Sequence, residues 1–183
     1  MKIALGVGAV QAGFWDKSLA RAGAPLSALN WRDALVSGVG GCIAIATVVW
    51  VCRHFLGMDG AALLVASMGA SAVLLFALPN GPLSGPWAVI GGHGCSAIVG
   101  VLLSMAVSDS LLAGALAVGI AIGVMQLLRC VHPPGGATAL SAVVGGSSVH
   151  ALGLQYVVTP VLLNAAMIVT VAAVFNRLLG RQR

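Results

Sequence analysis

The chain has 183 residues, 60% of them hydrophobic and only 7% charged, with a mean hydropathy of +1.06. Soluble domains carry about 25% charged residues, so this composition excludes an ordinary water-soluble fold. The net charge of +5 does not cluster as a nucleic-acid footprint would, and nothing in it points to a nucleic-acid partner.

In chain order, residues 1–33 read as an interfacial lead-in. Trp15, Trp31, Lys17, Arg21 and Arg32 suit the headgroup region. Lys2 followed by Ile3–Val10 has some signal-peptide character, but the apolar part is short and Gly-rich, which disfavours cleavage. From Ala34 to Asn176 the only charged residues are Arg53, Asp59, Asp109 and Arg129. They leave uncharged runs at 34–52, 60–108, 110–128 and 130–176. At roughly 20 residues per crossing, these hold one, two, one and two crossings.

The expected segments are therefore about 34–53, 60–78, 86–107, 110–129, a short fifth near Ala137–Val144, and 155–177. The membrane domain is 34–178, followed by a basic tail at 179–183. With the N-terminus inside, Lys2, Lys17, Arg21, Arg32, Arg129, Arg177, Arg181 and Arg183 lie inside and only Arg53 outside. That bias fits the positive-inside rule. It implies an integral protein of a bacterial inner membrane with both termini cytoplasmic.

Two similar small-residue strings stand in the middle element of each half: Gly69-Ala70-Ser71-Ala72 and Gly136-Ala137-Thr138-Ala139. Each half reads long span, small-residue segment, long span. Three crossings is an odd number, so the second half is inverted relative to the first. The expected fold is all-α, six membrane segments as two inverted three-segment repeats with broken helices.

The second string follows His132-Pro133-Pro134-Gly135. Prolines lack N–H groups and push the preceding residue out of the helical region. The helix from 110 should end near His132 and a new one start near Ala137. Its free N–H groups, with the Thr138 hydroxyl, would favour an anion. The first string offers similar chemistry at Gly69, Ala70 and Ser71, though without a proline. The bland reading of these glycines is tight helix packing, and of Ser71 and Thr138 a bond back to their own helix. His93 and His132 are the ionisable residues expected within the membrane, and such residues are functional candidates. Their alternatives are an interhelical hydrogen bond for His93 and satisfaction of proline-freed carbonyls for His132. The candidate substrate-binding set is Gly69, Ala70, Ser71, His93, His132, Gly135, Gly136, Ala137 and Thr138, with Pro133 and Pro134 as the structural break.

No histidine pair has metal-ligand spacing, the four cysteines read as packing residues, and no cofactor is implied. With four Asp, no Glu and no nucleophile–base pair, an intramembrane enzyme is disfavoured.

The string His132-Pro133-Pro134-Gly135-Gly136-Ala137-Thr138-Ala139-Leu140 resembles the HPP family of integral membrane proteins. Gly69–Phe76, Gly91-Gly92-His93 and the Pro160–Asn176 span are also similar to it, so the resemblance covers about 30–178. The turn at 79–86 departs from the family's usual pattern. The resemblance implies nitrite transport across a bilayer. The expected function is a transporter or channel for a small monovalent anion, nitrite first, working as a homo-oligomer. The alternative is a non-transporting scaffold or sensor subunit.

Overall fold

The computed structural model describes residues 30–181, and the side chains of all of these but 57–60. The expected interfacial segment thus lies outside the described residues except at its last positions. There Asn30 Oδ1 accepts from Arg32 N–H at 3.1 Å, and helix α1 (Trp31–Ala77) begins. The remainder, Val36–Arg183, forms one compact unit.

Helix α1 cannot be straight. Thirty-nine helical residues span about 58 Å, yet Ser37 Oγ donates to the Phe76 carbonyl at 2.8 Å. The chain therefore folds back between two apolar arms, Trp31–Leu56 and Ala61–Ala77. After a proline- and glycine-rich turn come α2 (Pro86–Ala106), α3 (Ser110–Leu127), α4 (Pro133–Val144) and the short α5 (Ser147–Leu152). A π-helical turn, Val157–Leu162, then leads into α6 (Leu163–Leu178). Pro160 lies in that turn, and Thr159 before it is extended (φ −133°, ψ 117°), as a pre-proline residue prefers. All described residues are helical or in connections. Trp31–Leu56, Pro86–Ala106, Ser110–Leu127 and Val157–Leu178 are long and apolar enough to cross a bilayer, while Ala61–Ala77 is apolar but shorter.

The ends of these helices follow from local chemistry. Pro86 opens α2, where a missing N–H is harmless. Asp109 caps α3, its carboxylate accepting from Leu112 N–H at 2.8 Å. The second arm of α1 ends on carbonyls that other elements satisfy. Ser84 Oγ donates to the carbonyls of Leu74 and Leu78, Asn176 Nδ2 to that of Leu75, and Ser37 Oγ to that of Phe76. Arg181 adds a guanidinium on Ser37 Oγ at 3.0 Å, a cation near a helix C-terminus.

Helix α2 is the hub, packing on α3, α4, the π-turn and α6. Small residues permit this. Ala113, Ala117 and Ala121 repeat every fourth residue on α3 and are fully buried against Ala139 and Val143 of α4. A side chain on Gly100 would strike the Ala139 carbonyl, so α2 and α4 touch backbone to backbone.

Two expectations about helix breaks need correction. The first small-residue string lies inside the helical arm Ala61–Ala77, and no helix starts at Gly69. No proline is present to force a break. At the second string the break is real but placed differently. Helix α3 stops at Leu127, well before His132, and α4 starts at Pro133, four residues before Ala137. Both prolines fit in the first turn of α4, where their φ suits a helix.

Candidate functional site

His132 is the N-cap of α4, extended at φ −138° and ψ 106°. Its position follows from the connection before it. Arg129 adopts a left-handed conformation (φ 53°), and Cys130 N–H bonds back to the Met125 carbonyl. The strand-like stretch then runs against Gly91 and Gly92 of α2. A Cβ at Gly92 would lie 2.6 Å from His132 Cβ and 2.9 Å from the Cys130 carbonyl oxygen, so only glycine fits.

Around His132 the structure gathers a buried polar cluster from four elements. Ser71 Oγ, on the second arm of α1, lies 2.9 Å from His132 Nε2 and 2.8 Å from His93 Nε2 of α2. His93 Nδ1 is 2.7 Å from Thr138 Oγ1 of α4, which is 2.8 Å from Ser67 Oγ. Ser67 Oγ donates to the Pro134 carbonyl at 2.7 Å, and His132 Nδ1 donates to the Leu83 carbonyl at 2.8 Å. The two rings meet edge to face, centroids 5.0 Å apart. Exposure of the five side chains is 0–1%. His93 is the eighth residue of α2, about 10 Å along a helix of roughly 31 Å, so the cluster lies well inside the apolar layer.

Four residues of the expected set therefore converge: Ser71, His93, His132 and Thr138. Gly135 sits beside them, and a Cβ there would come within 2.9 Å of both the Gly92 carbonyl oxygen and Ser96 Oγ. Pro134 contributes its carbonyl, while Pro133 faces outward. The structure does not bring in the others. Ala70 and Ala137 are exposed on the outer faces of their helices, and Gly69 and Gly136 are half-buried. A Cβ added at Gly69 would meet nothing within 4 Å, and one at Gly136 would make only an ordinary contact with Val118 at 3.8 Å. Of the free N–H groups expected at the start of α4, those of its first three residues are absent or already bonded. Pro133 and Pro134 have none, and Gly135 N–H donates to the His132 carbonyl at 2.8 Å. The donors in this site are side chains.

Ser67 went unnoticed in the sequence, although it lies one helical turn before Ser71 on the same face. Ser96 is fully buried with its hydroxyl unpartnered. Tyr156 and Ser141 also went unnoticed, whereas Asn164 stood out as a polar side chain in an apolar run. Tyr156 OH meets Ser141 Oγ at 2.8 Å, Ser141 Oγ donates to the Thr138 carbonyl, and Asn164 Nδ2 donates to Cys52 Sγ at 3.1 Å. His54 and His150 are exposed, the latter with Nε2 on the Val143 carbonyl at the end of α4. All four cysteines are free thiols.

Two imidazoles joined through a hydroxyl, with no buried carboxylate among the described residues, can relay a proton and can turn donors toward a guest of negative charge. Apolar helices long enough to span, packed through glycine and alanine around a buried polar centre, define an α-helical integral membrane protein. The family model of the HPP transmembrane region matches residues 26–183, and the chain belongs to that family. It is similar to a transmembrane protein of Dictyostelium discoideum, 38% identical over 117 residues, which are 62% of this chain and 41% of that protein. A second transmembrane protein of the same organism is 35% identical over 124 residues, 66% of this chain and 40% of the relative. The chain thus spans about two fifths of the length of these curated relatives. No solved structure matches it.

Proposed function

We propose that this chain passes a small monovalent anion, nitrite first, across the bilayer through the His93–His132 cluster. The observation that carries this reading is the cluster itself: five polar side chains in an apolar interior, each able to donate a hydrogen bond, with no buried Asp or Glu among the described residues. Intramembrane ionisable groups of this kind mark solute or proton pathways. The anion takes the acceptor place that the Leu83 carbonyl holds on His132 Nδ1. The proposed architecture is six segments in two inverted halves, with both termini on the cytoplasmic side of a bacterial-type inner membrane and homo-oligomeric packing. What supports the halves is the meeting of Ser67 and Ser71, from the first small-residue segment, with the second: Ser67 with Thr138 and the Pro134 carbonyl, Ser71 with His132.

The test is nitrite flux into liposomes holding the purified protein, against empty liposomes and a His132→Ala variant. Saturable flux that falls at least tenfold in the variant is the expected outcome. A second reading, a non-transporting scaffold or sensor subunit, is favoured by the contacts that the cluster makes between helices, which would also serve as a polar lock. Absence of flux for nitrite, nitrate, formate and chloride at every imposed pH gradient makes that reading the better one.

A further inference from the structure

We propose that the cluster is a proton-linked anion site, taking up one proton with each monovalent anion it binds; this rests on the anion reading above. The contacts form a single chain of six links. It runs from the Leu83 carbonyl through His132, Ser71, His93, Thr138 and Ser67 to the Pro134 carbonyl, every link between 2.7 and 2.9 Å. Each link needs one hydrogen between its two heavy atoms. A neutral imidazole has one N–H and each hydroxyl one O–H, so the five members bring five hydrogens to six links. The two ends are carbonyl oxygens, which only accept. The shortfall does not depend on which tautomer either ring adopts. The longer contact from Ser71 Oγ to the Ser67 carbonyl, 3.3 Å, calls for a hydrogen and brings none. The neighbouring chain Tyr156–Ser141–Thr138 carbonyl shows the contrast: two links, two hydroxyl hydrogens, closed while neutral.

The neutral cluster therefore leaves one link with two lone pairs facing each other. A sixth hydrogen, placed on an imidazole nitrogen at that link, completes every bond but puts a positive charge in an apolar interior. Among the described residues, nothing on the surrounding elements neutralises it. The second arm of α1, α3 and α4 carry no other titratable side chain in their described parts; α2 adds Cys95, and the connection before α4 adds Arg129 and Cys130. The first arm adds Cys42, Cys52, Arg53 and His54 beyond its first turn, Tyr156 precedes the π-turn, α5 adds the exposed His150, and α6 adds only the exposed Arg177. No Asp or Glu among the described residues is buried. A monovalent anion from solution, entering with a proton from solution, supplies the missing charge and leaves the loaded site neutral.

The experiment titrates sodium nitrite into the purified chain in weakly buffered detergent solution, reading proton uptake with a pH indicator and binding by calorimetry. The expected result is one proton taken up per nitrite bound, with nitrite affinity rising up to about tenfold per unit decrease in pH. Ser67→Ala removes two links and one hydrogen without touching either ring. The remaining four links and four hydrogens close while neutral, so its nitrite binding should be weaker at low pH and free of proton uptake. Thr138→Val obeys the same arithmetic and serves if Ser67→Ala does not fold. Nitrite binding without proton uptake by the wild-type chain overturns this inference and leaves the anion reading standing. Uptake that persists unchanged in both variants also overturns it. Failure of nitrite, nitrate, formate and chloride to bind at all overturns the anion reading and this inference together.

Discussion

A single hydroxyl, Ser71 Oγ, lies within 3 Å of both imidazoles, and the glycines around it decide whether they can reach it. Gly92 and Gly135 are not hinges; they are places where any Cβ would push His132 or the Gly92 backbone away from the cluster. Gly92→Ala should therefore destabilise the chain by about 1–3 kcal/mol, the usual cost of overpacking, whereas Gly69→Ala, with nothing in its way, should be neutral or slightly stabilising. Melting curves of the two variants in detergent check this directly. Equal losses at both positions would mean that Gly69 faces a neighbour and not open space. Residue types alone marked Ser71, His93, His132 and Thr138, because polar groups inside long apolar runs are conspicuous. Residue types did not separate Gly135 from Gly136, since which of two adjacent glycines faces a neighbour depends on helix phase.

At the scale of elements, proline position governs the second half. Pro133 and Pro134 stand in the first turn of α4, so they end nothing and open a helix whose N-cap, His132, is thereby held extended inside the protein. The first half has no such pair, and its small-residue arm stays helical from Ala61 to Ala77. The repeat in sequence is thus not a repeat of helix breaks. Another cap offers a cleaner test of local energetics. Asp109 is exposed, and its carboxylate satisfies one orphan N–H of α3. Asp109→Ala should cost about 1 kcal/mol, and Asp109→Asn nearly nothing, in thermal or chemical unfolding. A loss as large in the Asn variant would assign the effect to charge and not to the hydrogen bond.

Across the whole molecule, one end gathers Ser37, Phe76, Asn80 and Arg181, joined by hydrogen bonds. Trp87, at the start of α2, bonds the Leu128 carbonyl at the end of α3. The α2–α3 turn at 107–109 lies a helix length away from that contact. The orientation proposed above puts the first of these ends inside. A membrane-impermeant maleimide applied to intact cells should then label Ser108→Cys and leave Asn80→Cys unlabelled until the membrane is opened, each over the wild-type background. The reverse pattern would invert the proposed orientation without changing the fold.

Composition and charge spacing by themselves determined that the chain is a helical membrane protein and where its apolar segments run, because the bilayer imposes length and hydropathy on any spanning helix regardless of its neighbours. The motif His132–Leu140 likewise placed it in its family. What only the tertiary structure decided is the register between segments: that Ser67 faces Thr138, that one hydroxyl joins two histidines 39 residues apart in sequence, and that the chain of contacts ends on the carbonyls of Leu83 and Pro134. Those pairings depend on how far α1, α2 and α4 slide and rotate against one another, and that is set by the close approach of backbones at Gly92, Gly100 and Gly135. No periodicity within a single helix encodes it.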